Sequence, residues 1–419
     1  MLRRHVLATL AVGVGVTTFF LVTDAGPRPF ERPRPPAPIG VFRDGGTPAR
    51  DPEIERVLGT DFPAVVRTSF AFLGRDTDDG ARRHGLTALR ASSAFGGHGE
   101  RLAAAWREMI DSLDHWMTMA LGDRGFRASS DELRAHVEVV ADQLAAAGLG
   151  YTFDASALLP QSKRKVDIVP YRIERVAFVF ANSERERVLE LRRLERVDPS
   201  GLLGRTTEEL GDPVVLLDAI DDKIANLVMP VLGGLPFPLG PRTASIAAGE
   251  AIRRELAAAG GEPVTRARQL VTASVRHHEA QHGLDADRHL VHPARLAMLV
   301  GDKDATAVRA RLELSAYLSQ IASDMWVPQL TLWSLARHAF HAGHTKTEEM
   351  LVAVVVVEGI ARELQIVAPG PIFHDGDIDR DRLATLVAPI AAHSTLELRA
   401  AAAALWGELF EDKLVRIVD

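Results

Sequence analysis

The chain has 419 residues, 47% of them hydrophobic and 25% charged, which is ample for one large core or two smaller ones and excludes general disorder. A formal net charge of −7 argues against nucleic-acid binding, which needs a basic face. With no cysteine, disulfides, thiolate metal sites, cysteine nucleophiles and lipoprotein anchoring are all excluded.

At the N-terminus, Arg3, Arg4 and His5 precede an apolar run from Val6 to Val22, and Thr23 and Ala25 stand before a candidate cleavage point. Residues 1–25 therefore read as a signal peptide or a retained membrane anchor. The protein is expected to be exported: periplasmic or extracellular, or tethered to an inner membrane through residues 6–22 and facing outward. Residues 26–50, with Pro33, Pro35, Pro36 and Pro38, predict an extended linker.

Residues 51–150 read as a helical N-terminal region. Leu102, Trp106, Ile110 and Leu113 recur at helical spacing, as do Leu133, Val137, Val140 and Leu144, and Gly148 and Gly150 supply a stop. Over 151–220 the pattern shortens to period two. Val176, Phe178 and Phe180 share one face of a strand within Tyr171 to Ala181, and Val188 to Leu194 and Val214 to Leu217 are further strands. A Gly/Pro-rich loop runs from Pro230 to Pro241. Residues 242–419 then return to helices, at roughly 243–259, 264–289, 304–324, 328–342, 347–366, 380–392 and 394–411. The fold class is α+β, mainly helical, with one small sheet.

The chemistry-bearing motif is His278-Glu279-Ala280-Gln281-His282. Two imidazoles four apart on a helix lie on one face, one turn apart, and can share one cation. Glu279 lies next round the helix, placed to act as general base on a metal-bound water. Val264, Ala267, Val271, Val275, His278 and His282 follow one helical stripe, so both histidines should point inward. Gly283 reads as a weak point or stop. A third histidine six residues after His282 is missing, because Arg288 stands there; His289 and His292 are wrongly spaced.

A glutamate follows on the next substantial helix, in Glu313-Leu314-Ser315-Ala316-Tyr317. Over about 264–324 the chain resembles the gluzincin metallopeptidases, in which a glutamate from a later helix completes the HExxH pair. The resemblance implies a zincin-like catalytic domain over 151–419 with an HExxH active-site helix. It further implies one zinc per chain held by His278, His282 and Glu313, Glu279 as catalytic base, and a peptide or protein substrate. Arg309, Glu313, Tyr317, Gln320 and Asp324 form a polar stripe on that helix, which is either a solvated face or the face that meets the metal.

Other candidates stay open. Tyr317 is either an oxyanion donor or a buried spacer, and Asp285 either orients a ligand histidine or is a surface acid. His338, His341 and His344 are alternative transition-state donors, and Glu358 is a reserve ligand. Asp375, Asp377, Asp379 and Asp381 alternate in the manner of a calcium loop, but Arg380 and Leu386 break the EF-hand pattern. The expected activity is zinc-dependent peptide hydrolysis; the alternative is a non-catalytic zinc-binding protein or a metal-free helical interaction protein of the cell envelope.

Overall fold

The computed structural model describes residues 46–73, 79–119, 126–155, 168–181, 184–195, 204–205, 213–286, 288–301, 305–323, 327–340, 347–367, 370–374 and 377–418. The signal or anchor expected over 1–25, most of the linker, Asp324, His341, His344 and Asp375 lie outside these. Among the described residues no helix is long and apolar enough to cross a membrane.

The described chain is mainly helical with a small mixed sheet, an α+β arrangement. It begins with α1 (Pro52–Arg56), where Asp51 Oδ1 accepts from the backbone N–H groups of Glu53 and Ile54 at 2.8 and 3.1 Å and proline occupies the first turn. A wide turn, Val57–Asp61, leads into α2 (Phe62–Leu73), followed by α3 (Asp79–Arg90), α4 (Glu100–Met119) and α5 (Phe126–Ala146). The two periodic sets read from α4 and α5 meet in one buried core, where Trp106 stacks on Phe95 at 4.1 Å.

The sheet is built from β1 (Tyr151–Asp154), β2 (Val169–Ala181), β3 (Glu184–Arg193), β4 (Gly204–Arg205) and β5 (Val214–Leu216), in the order β1-β2-β3-β5-β4. All neighbours are antiparallel except β3 and β5, which are parallel. A bulge between Ile173 and Arg175 switches the parity of β2. Tyr171, Ile173 and then Val176 therefore share a face with Leu189, Leu191, Val214 and Leu216. Val179 and Ala181 sit on the opposite face, against the helical core with Val188 and Val215. The face carrying Val176 and Phe178 thus runs out into solvent at Phe180, which is 44% exposed.

After β5 the chain turns helical over a stretch to which the sequence assigned no element. Leu217-Asp218-Ala219-Ile220 opens α6 (Leu217–Lys223), which passes through a wide turn, Ile224–Val228, into α7 (Met229–Leu232). Ala219, Ile220, Ile224, Leu227 and Val228 are buried at helical spacing, and that burial overrides the short apolar run read as a strand end. Then come α8 (Arg242–Ala258), α9 (Pro263–Ala286), α10 (Ala294–Val300), α11 (Ala305–Ala322), α12 (Pro328–Phe340) and α13 (Glu348–Glu363). The hairpin β6 (Phe373–His374) and β7 (Asp377–Ile378), α14 (Arg380–Ala392), α15 (Thr395–Phe410) and β8 (Ile417–Val418) complete the chain, with β8 pairing the far end of β2. Helix α10 lies in the connection between α9 and α11.

Gly283 does not stop its helix. A Cβ there would lie 3.1 Å from Glu186 Oε1 and 3.8 Å from Pro213 Cγ, so glycine lets α9 run close against the sheet and on to Ala286. Gly359 plays the same part where α13 crosses α15: a Cβ would overlap the side chain of Leu405, which is itself buried. Gly359→Ala is expected to destabilise the fold by about 1–3 kcal/mol through overpacking, outweighing the roughly 1 kcal/mol helix preference of alanine. The measurement is the urea midpoint at unchanged m-value.

Candidate metal centre

Helix α9 starts under a side-chain cap. Glu262 accepts from the backbone N–H groups of Val264 at 3.1 Å and Thr265 at 2.6 Å. Its middle, Val271 to His277, is buried throughout, between the sheet on one side and α11 on the other. Arg276 Nε lies 3.1 Å from Glu190 Oε1 on β3, a pair buried on both sides that ties α9 to the sheet.

A second set of bonds fixes α9 against α11. Gln320 Nε2 donates to Ser274 Oγ at 2.6 Å, and Ser323 Oγ lies 2.8 Å from His277 Nδ1. Gln281 Nε2 donates to Asp285 Oδ1 at 2.7 Å and reaches Ser315 Oγ at 3.5 Å, while Trp406 Nε1 on α15 donates to the same Ser315 oxygen at 2.9 Å. These groups are buried, so slipping one helix along the other would strand several of them unsatisfied. Gln320 thus leaves the polar stripe expected of α11 and belongs to this layer. Asp285 is not a surface acid: it is 3% exposed, and burial pushes its carboxyl up.

With the register set, three side chains converge. His278 Nε2 and His282 Nε2 are 3.1 Å apart. Glu313 of α11 places Oε2 3.4 Å from His278 Nε2 and Oε1 3.5 Å from His282 Nε2. Their ligand atoms all lie within 4.8 Å of one another, and among the described residues this is the group able to hold a metal ion. Two imidazoles and a carboxylate, all partly buried, give a nitrogen- and oxygen-ligand site.

The cluster is electrostatically coupled. Burial opposes the charged form of His282, yet the hydrogen bond and charge of Glu313, helped by Glu279 and Asp285, raise its imidazole to about 9. Burial likewise opposes ionised Glu313, but the hydrogen bonds and charges of the two histidines hold its carboxyl well below the usual range. Glu279 is buried beside them, close enough for its charge to act on both His282 and Tyr317. The Tyr317 ring stands edge-on to His278, with centroids 4.7 Å apart. Burial, then the Glu313 and Glu349 charges, push its phenol upward, so it stays a neutral O–H donor at physiological pH.

No known family, curated protein or solved structure matches this chain. The site is therefore read from its own geometry.

Other sequence candidates lie elsewhere. Glu358 accepts from Arg295 Nε and Nη2 at 3.0 and 2.6 Å and from the Ile372 backbone N–H at 2.9 Å, so it is no reserve ligand. His292 Nε2 reaches the Gly301 carbonyl at 2.9 Å, and Asp379 caps α14. His338 stands in the last turn of α12, outside the three-residue cluster. Glu349 carried no functional signal in the sequence. The structure puts it within electrostatic reach of Glu313 and Tyr317. Arg337 also acts on Tyr317, and no local pattern pointed to it.

Because both helices contribute ligands, removing one from either side should abolish binding. Metal analysis after dialysis is expected to find about one divalent cation per chain in the unmodified protein and well under a tenth of that in His282→Ala or Glu313→Ala.

Proposed function

We propose that this protein is a zinc-dependent peptide hydrolase with a zincin-like catalytic domain. The observation that carries the reading is the spacing of the three ligand atoms. Two atoms bound to one zinc at ~2.0–2.1 Å and the tetrahedral angle stand ~3.3–3.4 Å apart. The separations at His278, His282 and Glu313 are 3.1, 3.4 and 3.5 Å. Imidazole nitrogens favour zinc over calcium or magnesium, which take oxygens. Three protein ligands leave a fourth position open, as hydrolytic rather than structural zinc requires.

When bound, the cation supplies Lewis acidity, lowering the pKa of a water and polarising a carbonyl. Glu279 takes the proton from the attacking water and returns it to the leaving amine. Its burial strengthens that exchange by excluding competing solvent. Tyr317, held neutral and edge-on to His278, donates a hydrogen bond to the oxyanion that develops on the scissile carbonyl. Strand β4 is at the end of the sheet order and packs against α9, which offers an edge for an extended peptide to pair with. Export, with residues 1–25 as signal or anchor, belongs to the same reading.

Glu279→Gln is expected to keep the metal and lose about 10²–10⁴-fold in peptide cleavage. Full activity in a zinc-loaded Glu279→Gln sample would remove the assigned base. Tyr317→Phe should lower kcat by about 10²–10³-fold with little change in KM, since its hydrogen bond forms only as the oxyanion develops. Steady-state kinetics on a fluorogenic peptide separate the two parameters; a change confined to KM would assign Tyr317 to ground-state binding.

A further inference from the structure

Two apolar side chains of the sheet stay in water opposite each other. Phe180 of β2 pairs with Val418 of β8, and they are 44% and 37% exposed. Phe178, two residues back on the same face, is half-buried beneath the guanidinium of Arg185, which lies 3.4 Å from its ring centroid. The charge on this face has one sign. The register sets Arg185 opposite Phe180 and Arg187 opposite Phe178, and cross-strand partners share a face. Glu186 alternates to the other face, where its carboxylate lies beside Gly283 of α9. Arg416, which is exposed, comes directly before β8. In a chain whose net charge is −7, an aromatic surface flanked by arginine is a local exception.

This surface lies close to where the N-terminal part of the chain joins the fold. Gly46 bridges Val176 of β2, donating to its carbonyl at 3.3 Å and accepting from its N–H at 2.9 Å. Phe180 is four residues further along the same strand, about 13 Å away at ~3.3 Å per residue. Before Gly46 come the apolar run of residues 6–22 and then residues 26–45, whose full extension is at most about 70 Å. An anchored run would therefore keep the Phe180 surface within reach of a bilayer and raise its effective concentration there. Aromatic rings and arginine suit the headgroup zone, where the apolar part meets acyl chains and the cation meets lipid phosphate.

We propose that the surface of Phe178, Phe180 and Val418, with Arg185, Arg187 and Arg416, docks the protein on an anionic lipid bilayer beside the N-terminal anchor. This rests on the anchor reading of residues 1–25 and extends it. An anchor alone fixes location and leaves orientation free; a second, basic and aromatic contact fixes orientation. Helix α9 packs on the opposite face of the sheet, where Val179 and Val188 join its core. The metal centre is thereby held across the sheet from the lipid, on the side that meets substrates in solution.

The chain has no cysteine, so a single one introduced at the surface takes an environment-sensitive dye selectively. Full-length protein carrying Phe180→Cys, Val418→Cys or, at the end of α15 remote from β8, Leu396→Cys is mixed with vesicles. The vesicles are phosphatidylcholine alone or an equal mixture with phosphatidylglycerol, both containing a brominated quencher lipid. In the mixed vesicles the dye at 180 and 418 is expected to be quenched about twofold or more, and the dye at 396 to be unaffected. High salt, or Arg185→Glu together with Arg416→Glu, should remove most of that quenching. Arg185→Lys should retain it, since the charge remains, and an unchanged urea midpoint keeps misfolding from imitating the loss. Co-flotation with pure phosphatidylcholine reads the anchor separately. Flotation without quenching at 180 and 418 overturns the docking surface and leaves the anchor standing. Quenching by anionic vesicles with no flotation on neutral ones supports the surface and removes the anchor; absence of both removes both. Equal quenching at all three positions also overturns the proposal. So does a dye shift without lipid that accompanies a dimer mass in light scattering, which assigns the surface to a second copy of the chain.

Discussion

The contact on which the rest depends is the packing of α9 on α11. Neither helix carries a complete site. His278, Glu279 and His282 come from one and Glu313 and Tyr317 from the other, so the geometry exists only at one relative rotation and one translation of the pair. Apolar contacts alone would tolerate small slips, because dispersion and the hydrophobic effect are not directional. Buried hydrogen bonds do not tolerate them. Gln320 on Ser274, Ser323 on His277, and Gln281 with Asp285 and Ser315 each lock a particular residue of α9 to a particular residue of α11 or hold it in place. Trp406 brings α15 into the same layer.

The polar layer and the imidazole pair differ in burial, and the division of labour is physical. Groups that must stay fixed are buried among partners that satisfy them. The three side chains able to hold a cation are left partly open, and their charges are balanced among themselves: Glu313 is kept ionised by the histidines and His282 kept cationic by Glu313. The sheet serves the same end from behind. Its bulge turns Val179 and Ala181 towards the helices, and Gly283 lets α9 lie close to Glu186 and Pro213.

Much of this was legible in the amino-acid order. A four-residue histidine spacing and an apolar stripe running into it are local signals, and helix geometry turns them directly into a shared face. Glu313 was legible because it lies on a helix that must fold back on the first. The misses have one cause. Gly283 resembles a stop in one dimension and is a close approach in three. Asp285 resembles a surface acid at a helix end and is buried because α11 covers it. Helix α6 was hidden because a short apolar run after a strand fits either period. Arg337 and Glu349 come from separate helices, and nothing short of tertiary packing reveals that both charges bear on Tyr317.

The chain between His282 and Glu313 contains α10 and a turn, roughly 30 residues whose ends any shared cation would join. Such an ion is a reversible staple: it removes closure entropy from the unfolded chain and releases it when lost. Its contribution grows with the logarithm of the free metal concentration. Folding resilience and metal occupancy would then rise and fall together, and a molecule stranded where the ion is scarce would be easier for proteases to open.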